Sequence, residues 1–205
     1  MDRRRLLAIA RLGFAGLTLA AIGTQLADAA GRGVLDPVNF FSYFTIQSNL
    51  LAVAVFVLGA LGRTGGDARR WDLIRGQAVV MMTVTYVVFA LLLADTDVDV
   101  AVSWVNTVVH TIMPLAVIAD WLIDPPQDAV SPRTAMVWLV FPLLWTAYTL
   151  VRGAITGWYP YPFLDPTNGG YGTVALYIVG ILIFGIVLSV VVAAVGSALR
   201  TRRLV

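Results

Sequence analysis

The chain contains no cysteine, no lysine and no glutamate, and only one histidine in 205 residues. Without cysteine there is no disulfide framework and no thiolate metal site. One histidine with neither cysteine nor glutamate beside it supplies too few of the usual ligands for zinc, and the absence of lysine excludes a retinal Schiff base. No cofactor is expected. Charge is scarce as well: Asp and Arg together make 13% of the chain against 59% hydrophobic residues, and the mean hydropathy is +0.84. Such a composition cannot furnish the polar shell of a soluble domain, so the bilayer is the solvent that it requires.

What is present is a series of long apolar runs. They cover about residues 6–27, 39–62, 77–94, 102–123, 135–157 and 173–199. Each exceeds the roughly 17 residues needed to cross a ~30 Å hydrocarbon core as a helix. The fold class expected is therefore all-α, a polytopic membrane protein with one domain, 1–205, of six transmembrane helices.

The arginines give the orientation. Arg3, Arg4 and Arg5 precede the first run, Arg63, Arg69, Arg70 and Arg75 separate the second from the third, Arg133 separates the fourth from the fifth, and Arg200, Arg202 and Arg203 follow the sixth. With alternating spans all of these fall on one side, opposite Arg32 and the acidic Asp95, Asp97 and Asp99. The basic side, and with it both termini, is expected to be cytoplasmic. The pI of about 9.2 thus reflects topology rather than nucleic-acid binding. The use of Arg in place of Lys, with an excess of Ala, Val and Gly, reads as a high-GC bacterial composition, hence a multi-pass protein of the bacterial inner membrane. The RRR start, the first apolar run and Ala27-Asp28-Ala29 also fit a cleavable signal peptide. Against that stand its helix-spanning length and the interruption at Arg11.

Polar groups at membrane depth are costly, so each one is a functional candidate. Counting from the outer ends of their spans, Thr45 lies ~9 Å, His110 ~12 Å and Arg152 ~8 Å deep at 1.5 Å per residue. Ser42, Thr45 and Asn49 share a stripe at i, i+3 and i+7, Asn106 is one turn from His110, and Tyr148 one turn from Arg152. A polar chamber in the outer half of the bundle follows. The plainer alternative for Thr45 is a hydroxyl bonded back to the carbonyl of Phe41, and for His110 a hydrogen-bonded link between helices. Pro114 cannot donate to the His110 carbonyl, which frees an acceptor beside the imidazole. At the inner end, Arg11 and Asp120 sit at matching depths and read as a structural ion pair. Residues 158–172, WYPYPFLDPTNGGYG, are either an aromatic belt with turns or a semi-rigid cap.

The segments NFFSYFTIQSNL (39–50), HTIMPL (110–115) and W-x-x-Y-x-x-x-R-G…GWYPYPFLDP (145–166) carry a family resemblance. The chain resembles a bacterial Pr6Pr family membrane protein, related to the androgen-induced family of six-span threonine hydrolases. What the resemblance implies is hydrolysis of fatty acid esters of hydroxy fatty acids by a membrane-embedded Thr with a His partner. Residue by residue, the Thr corresponds to Thr45, the His to His110, and the aromatic-proline motif to Trp158, Tyr159 and Pro160 or Pro162. From depth and chemistry alone, Asn106 is then expected to orient the imidazole. Asn49, Gln47 or Ser48 would donate to the oxyanion, and Arg152, near Tyr148, would take a fatty-acid carboxylate. The rival interpretation is a non-enzymatic protein that binds or passes a lipid or small anion through the same chamber. A purely structural subunit is the third. In all three the bilayer is a partner, a lipid the ligand of the first two, and nucleic acid is not involved.

Overall fold

The computed structural model describes residues 2–62, 66–94 and 102–203, the last two residues without their side chains. Arg63, Asp95, Asp97 and Asp99, and the side chains of Arg202 and Arg203, which enter the topology argument, lie outside this description. Among the described residues there are helices and turns and no strand.

Five helices are long and apolar enough to cross a membrane: Arg3–Gly31, Ala68–Leu93, Ser103–Ile123, Pro132–Thr156 and Gly170–Thr201, while Phe44–Ala60 is apolar but shorter. In chain order the α-helical pieces are α1 (Arg3–Gly31), α2 (Pro37–Ser42), α3 (Phe44–Ala60), α4 (Ala68–Val88), α5 (Ser103–Thr107), α6 (Met113–Ile123), α7 (Pro132–Ala135), α8 (Val140–Thr156) and α9 (Gly170–Arg203). A π-helical turn, Phe89–Leu93, extends α4, a second one, Val108–Ile112, joins α5 to α6, and a 3-10 turn, Met136–Leu139, joins α7 to α8.

Helix α1 packs along α3, α3 along α4, and α4 against both α6 and α9. Because lipid tails are as apolar as leucine, this packing rests on close approach and on hydrogen bonds more than on hydrophobic burial. Gly76 illustrates the point: a Cβ there would fall 2.0 Å from the Trp138 ring, and the Trp138 indole donates to the Leu73 carbonyl at 2.8 Å. The outward faces remain apolar, with Leu91, Ile155 and Leu176 more than 70% exposed.

Two expectations are corrected. The second apolar run is not one helix, because the chain turns extended at Tyr43 (φ −64°, ψ 129°) between α2 and α3. No proline or glycine forces this break. It is held by side chains that satisfy the backbone groups it orphans: the Trp145 indole donates to Ser42 O at 2.9 Å, and the Gln47 amide donates to Phe41 O at 2.8 Å. The third run, expected from residue 77, begins at Ala68, where the Asp67 carboxylate accepts from the Arg70 amide at 3.1 Å. Arg75 is consequently helical and 5% exposed rather than a loop residue.

That shift builds an ion network at one end of the bundle. Arg11 grips Asp120 through Nε at 2.7 Å and Nη2 at 3.1 Å and reaches Asp124 at 2.7 Å. Arg75 meets Asp120 from the other side at 3.1 Å, lies over the Trp121 ring at 5.4 Å and donates to the Asp124 carbonyl. Arg3 donates to the Ile123 carbonyl, and Arg200 donates to Gln127 O at 2.5 Å. The beginning of α1 and the end of α9 therefore meet the same α6–α7 connection.

Candidate active site

The break at Tyr43 places Thr45 in the first turn of α3, where amides have no intrahelical partner. Phe41, four residues back, belongs to α2, and its carbonyl is taken by Gln47, so the back-bonded alternative for Thr45 does not occur. Instead the Thr45 hydroxyl, buried at 8% exposure, lies 3.2 Å from His110 Nε2 and 3.2 Å from the Tyr161 hydroxyl. The Thr45 amide donates to that same Tyr161 oxygen at 3.2 Å.

His110 comes from the π-helical turn Val108–Ile112, in which Met113 N–H returns to Val108 O. Such turns recur at functional sites because they re-aim side chains within a helix, and the following Pro114, which has no N–H to donate, suits the interrupted register. The imidazole stacks on Phe89 at 4.1 Å and 16°, and Phe89 itself opens the other π-helical turn. His110 Nδ1 lies 3.2 Å from the Asn106 carbonyl oxygen. A carbonyl can only accept, so Nδ1 carries the proton of the neutral ring and Nε2 presents its lone pair to Thr45. The proton order is then fixed: Tyr161 O–H donates to Thr45 Oγ1, Thr45 O–H to His110 Nε2, and His110 Nδ1–H to Asn106 O.

Tyr161 arrives from the connection between α8 and α9, which turns inward through two short 3-10 turns, Pro162–Leu164 and Pro166–Asn168. Its ring stacks on Phe163 at 5.4 Å and packs edgewise on Tyr43 at 5.8 Å. Burial pushes its hydroxyl up to about 12, which keeps it a donor across any ordinary working pH. Tyr161, and not Trp158 or Tyr159, is thus the loop residue that bonds to Thr45. One signal was available: Tyr161 alone among the loop tyrosines lies between two prolines, which holds it extended, at φ −137° and ψ 139°.

The other expected residues are distributed differently. Asn106 orients the imidazole through its backbone rather than its side-chain amide. Asn49 spends its amide on Thr45 O at 2.9 Å and Val109 O at 3.0 Å, tying α3 to the π-helical turn. Ser48 bonds to Phe44 O at 2.7 Å. With Gln47 on Phe41 O, each of the three proposed oxyanion donors is bonded elsewhere, and the side-chain hydroxyl beside Thr45 Oγ1 is that of Tyr161. Arg152 bonds Asn39 Oδ1 at 2.6 Å and lies over Trp158 at 4.9 Å, so it positions two residues of the cavity wall without lining the cavity itself. Tyr148 is 45% exposed and meets Ser42 Oγ at 3.1 Å rather than Arg152. Tyr159 packs on Gly153, where a Cβ would lie 2.1 Å from its ring.

Thr45 and His110 open onto a cavity of about 220 Å³ whose wall includes Gln25, Arg32, Asp36, Asn39, Trp158 and Tyr161. A second cavity, of about 90 Å³ and almost wholly apolar, also reaches Thr45 and Tyr161 from the side of Val84, Leu139 and Ile181. Compared with known proteins, the chain matches no family model, no curated protein and no solved structure.

Proposed function

We propose that the protein is an intramembrane lipid-ester hydrolase in which Thr45 is the nucleophile and His110 the base. The observation that carries this is the directed chain Thr45 Oγ1 to His110 Nε2 at 3.2 Å, with Nδ1 anchored on a carbonyl. A threonine hydroxyl is a weak nucleophile alone, and a base within about 2.6–3.2 Å is what activates it. Thr45 Oγ1 attacks the acyl carbonyl carbon as its proton passes to His110 Nε2. The tetrahedral oxyanion lies toward the Tyr161 hydroxyl, at the positive end of the α3 dipole. Collapse breaks the bond to the alcohol oxygen, which takes the proton from His110. Water from the polar cavity then attacks the acyl-threonine by the same exchange, releasing the fatty acid and restoring Thr45. The substrate class, a fatty acid ester of a hydroxylated lipid, follows the family resemblance carried by the segments around Thr45, His110 and Trp158.

The setting proposed for this chemistry is the bacterial inner membrane, with six crossings and both termini cytoplasmic. Helix α3 alone measures ~26 Å at 1.5 Å per residue, and α2 supplies the remaining length of its crossing.

The test is a fluorophosphonate probe together with hydrolysis of a hydroxy-fatty-acid ester, measured per mole of folded protein. Thr45→Ala and His110→Ala should each abolish turnover while the protein remains folded, and Thr45→Ala should abolish labelling. The double variant should be no worse than either single one, since members of a catalytic unit are non-additive. An imidazolium has no lone pair at Nε2, so turnover should also fall on the acid side. Wild-type turnover in folded Thr45→Ala would remove the assignment.

A further inference from the structure

Thr45 is the meeting point of two cavities of opposite character. The larger carries Arg32, Asp36 and Asn39 in its wall; the smaller is lined by aliphatic and aromatic side chains, Thr85 and Thr146 being the polar exceptions beside Thr45 and Tyr161. Thr45, Leu93 and Tyr161 belong to both walls. An ester is itself a junction between an acyl and an alcohol half, and a nucleophile on such a partition can sort the two by polarity.

The apolar cavity also adjoins a groove. Val88 and Ile181 line the cavity and line as well this groove on the outside of the bundle, between α4 with its π-helical extension and α9. The groove's remaining wall is apolar apart from Thr173 and Tyr177. Gly180 stands in it with nothing within 4 Å of where a Cβ would be. At the inner end, Gly185 lines the apolar cavity, where a Cβ would come 3.1 Å from Leu139 Cδ2. Two glycines thus stand along one path from the bundle surface toward Thr45, each where a larger side chain would occupy space that an alkyl chain could use.

Resting on the hydrolase reading, we propose that the acyl chain enters sideways from the bilayer through the α4–α9 groove and lies in the apolar cavity past Gly180 and Gly185. The alcohol half, with its polar or anionic group, occupies the chamber of Arg32 and Asn39. The occupant of the groove is an alkyl chain, chosen because the groove shares Val88 and Ile181 with an apolar cavity that reaches Thr45. Chain length is then read by α9 and not by the catalytic pair.

Two measurements test this separately from the chemistry. The first compares hydrolysis of p-nitrophenyl palmitate and p-nitrophenyl acetate by wild type, Gly180→Phe and Gly185→Val. Blocking the path should lower the ratio of long-chain to short-chain turnover about tenfold or more, the scale at which a pocket discriminates alkyl groups. The second is photolabelling by palmitate bearing a terminal diazirine, which needs no turnover. It should mark α4 and α9 peptides in wild type and lose those marks in folded Gly180→Phe, whose Cβ meets no atom within 4 Å. An unchanged ratio and unchanged labelling in active, folded Gly180→Phe would overturn the path and leave the hydrolase standing. Labelling that depends on Gly180 in a wild type inactive on both esters would keep the alkyl site and remove the hydrolase, and with it the sorting of ester halves.

Discussion

At the scale of single residues, Tyr161 is where geometry adds most to the proposed catalytic pair. Its oxygen accepts from the Thr45 amide and its proton goes to Thr45 Oγ1, both at 3.2 Å, so it holds the proposed nucleophile while remaining able to donate to an oxyanion formed there. Tyr161→Phe is expected to reduce kcat about 10²-fold, the usual cost of one oxyanion donor, at a stability cost of about 1–3 kcal/mol, since it leaves the buried Thr45 amide without its partner. Steady-state kinetics on folded protein separate the two effects, and an unchanged kcat would assign Tyr161 to packing alone. The hydroxyl also has a linkage signature, because its value rises from 10.0 unfolded to about 12 folded. The unfolded chain loses this proton first, so the native state loses stability as pH rises from 10 toward 12, by roughly 1.4 kcal/mol per unit. Detergent melting over that range should fall more steeply for wild type than for Tyr161→Phe. Thr45 and His110 were legible in the sequence because each is a polar group at membrane depth and their depths agree. Tyr161 was not, since loop residues carry no periodicity from which a depth can be counted.

At the scale of elements, the site depends on three local departures from α-helix. They are the break at Tyr43, the π-helical turn around His110 and the inward fold of the loop before α9. The last is braced from α8: Gly153 leaves room for the Tyr159 ring, and a Cβ there would lie 2.1 Å from it. Gly153→Ala should therefore displace the loop, cost about 1–3 kcal/mol as other overpacked sites do, and lower turnover through Tyr161. Melting and kinetics together decide this, and loss of neither would show that the loop adjusts freely. Hydropathy gave the helices because burial in lipid demands long apolar runs. It was blind to all three departures, because each is set by side-chain bonds from distant segments, such as Trp145 to Ser42 O and Asn49 to Val109 O. The polar stripe Ser42, Thr45, Asn49 was drawn on a continuous helix that does not exist. Thr45 still faces His110 because the break re-aims it, not because of that stripe.

At the scale of the whole molecule, the charges answer two questions that the sequence merged into one. Arg11 and Arg75 are paired with Asp120 inside the bundle, and charges neutralised there carry little weight in orienting the chain. They are scaffold: Asp120→Asn removes one carboxylate from both guanidinium groups, but Arg11 keeps Asp124 at 2.7 Å and Arg75 keeps Asp72 at 3.7 Å, so the loss should stay below the about 3–5 kcal/mol of a fully broken buried pair. Exchanging the charges of Arg11 and Asp120 should fail to restore stability, because the new arginine would face Arg75, and detergent melting of the exchanged variant checks this. Orientation then rests on the arginines that remain, which among the described residues are Arg3, Arg4 and Arg5 in the first turn of α1, Arg69 and Arg70 at the start of α4, Arg133 in α7 and Arg200 near the end of α9. The contacts of Arg3 with Ile123 O and of Arg200 with Gln127 O bring the start of α1 and the end of α9 to one end of the bundle. At the other end Arg32 is paired with Asp28 at 2.8 Å. The charge bias thus survives removal of the two internal arginines, and the proposed orientation has both termini in the cytoplasm. A phosphatase that is active only outside the cytoplasm should be silent when fused after Val205 and active when inserted after Asn168, in the loop that carries Tyr161. Strong activity at Val205 would invert the bundle and place the polar chamber on the cytoplasmic side.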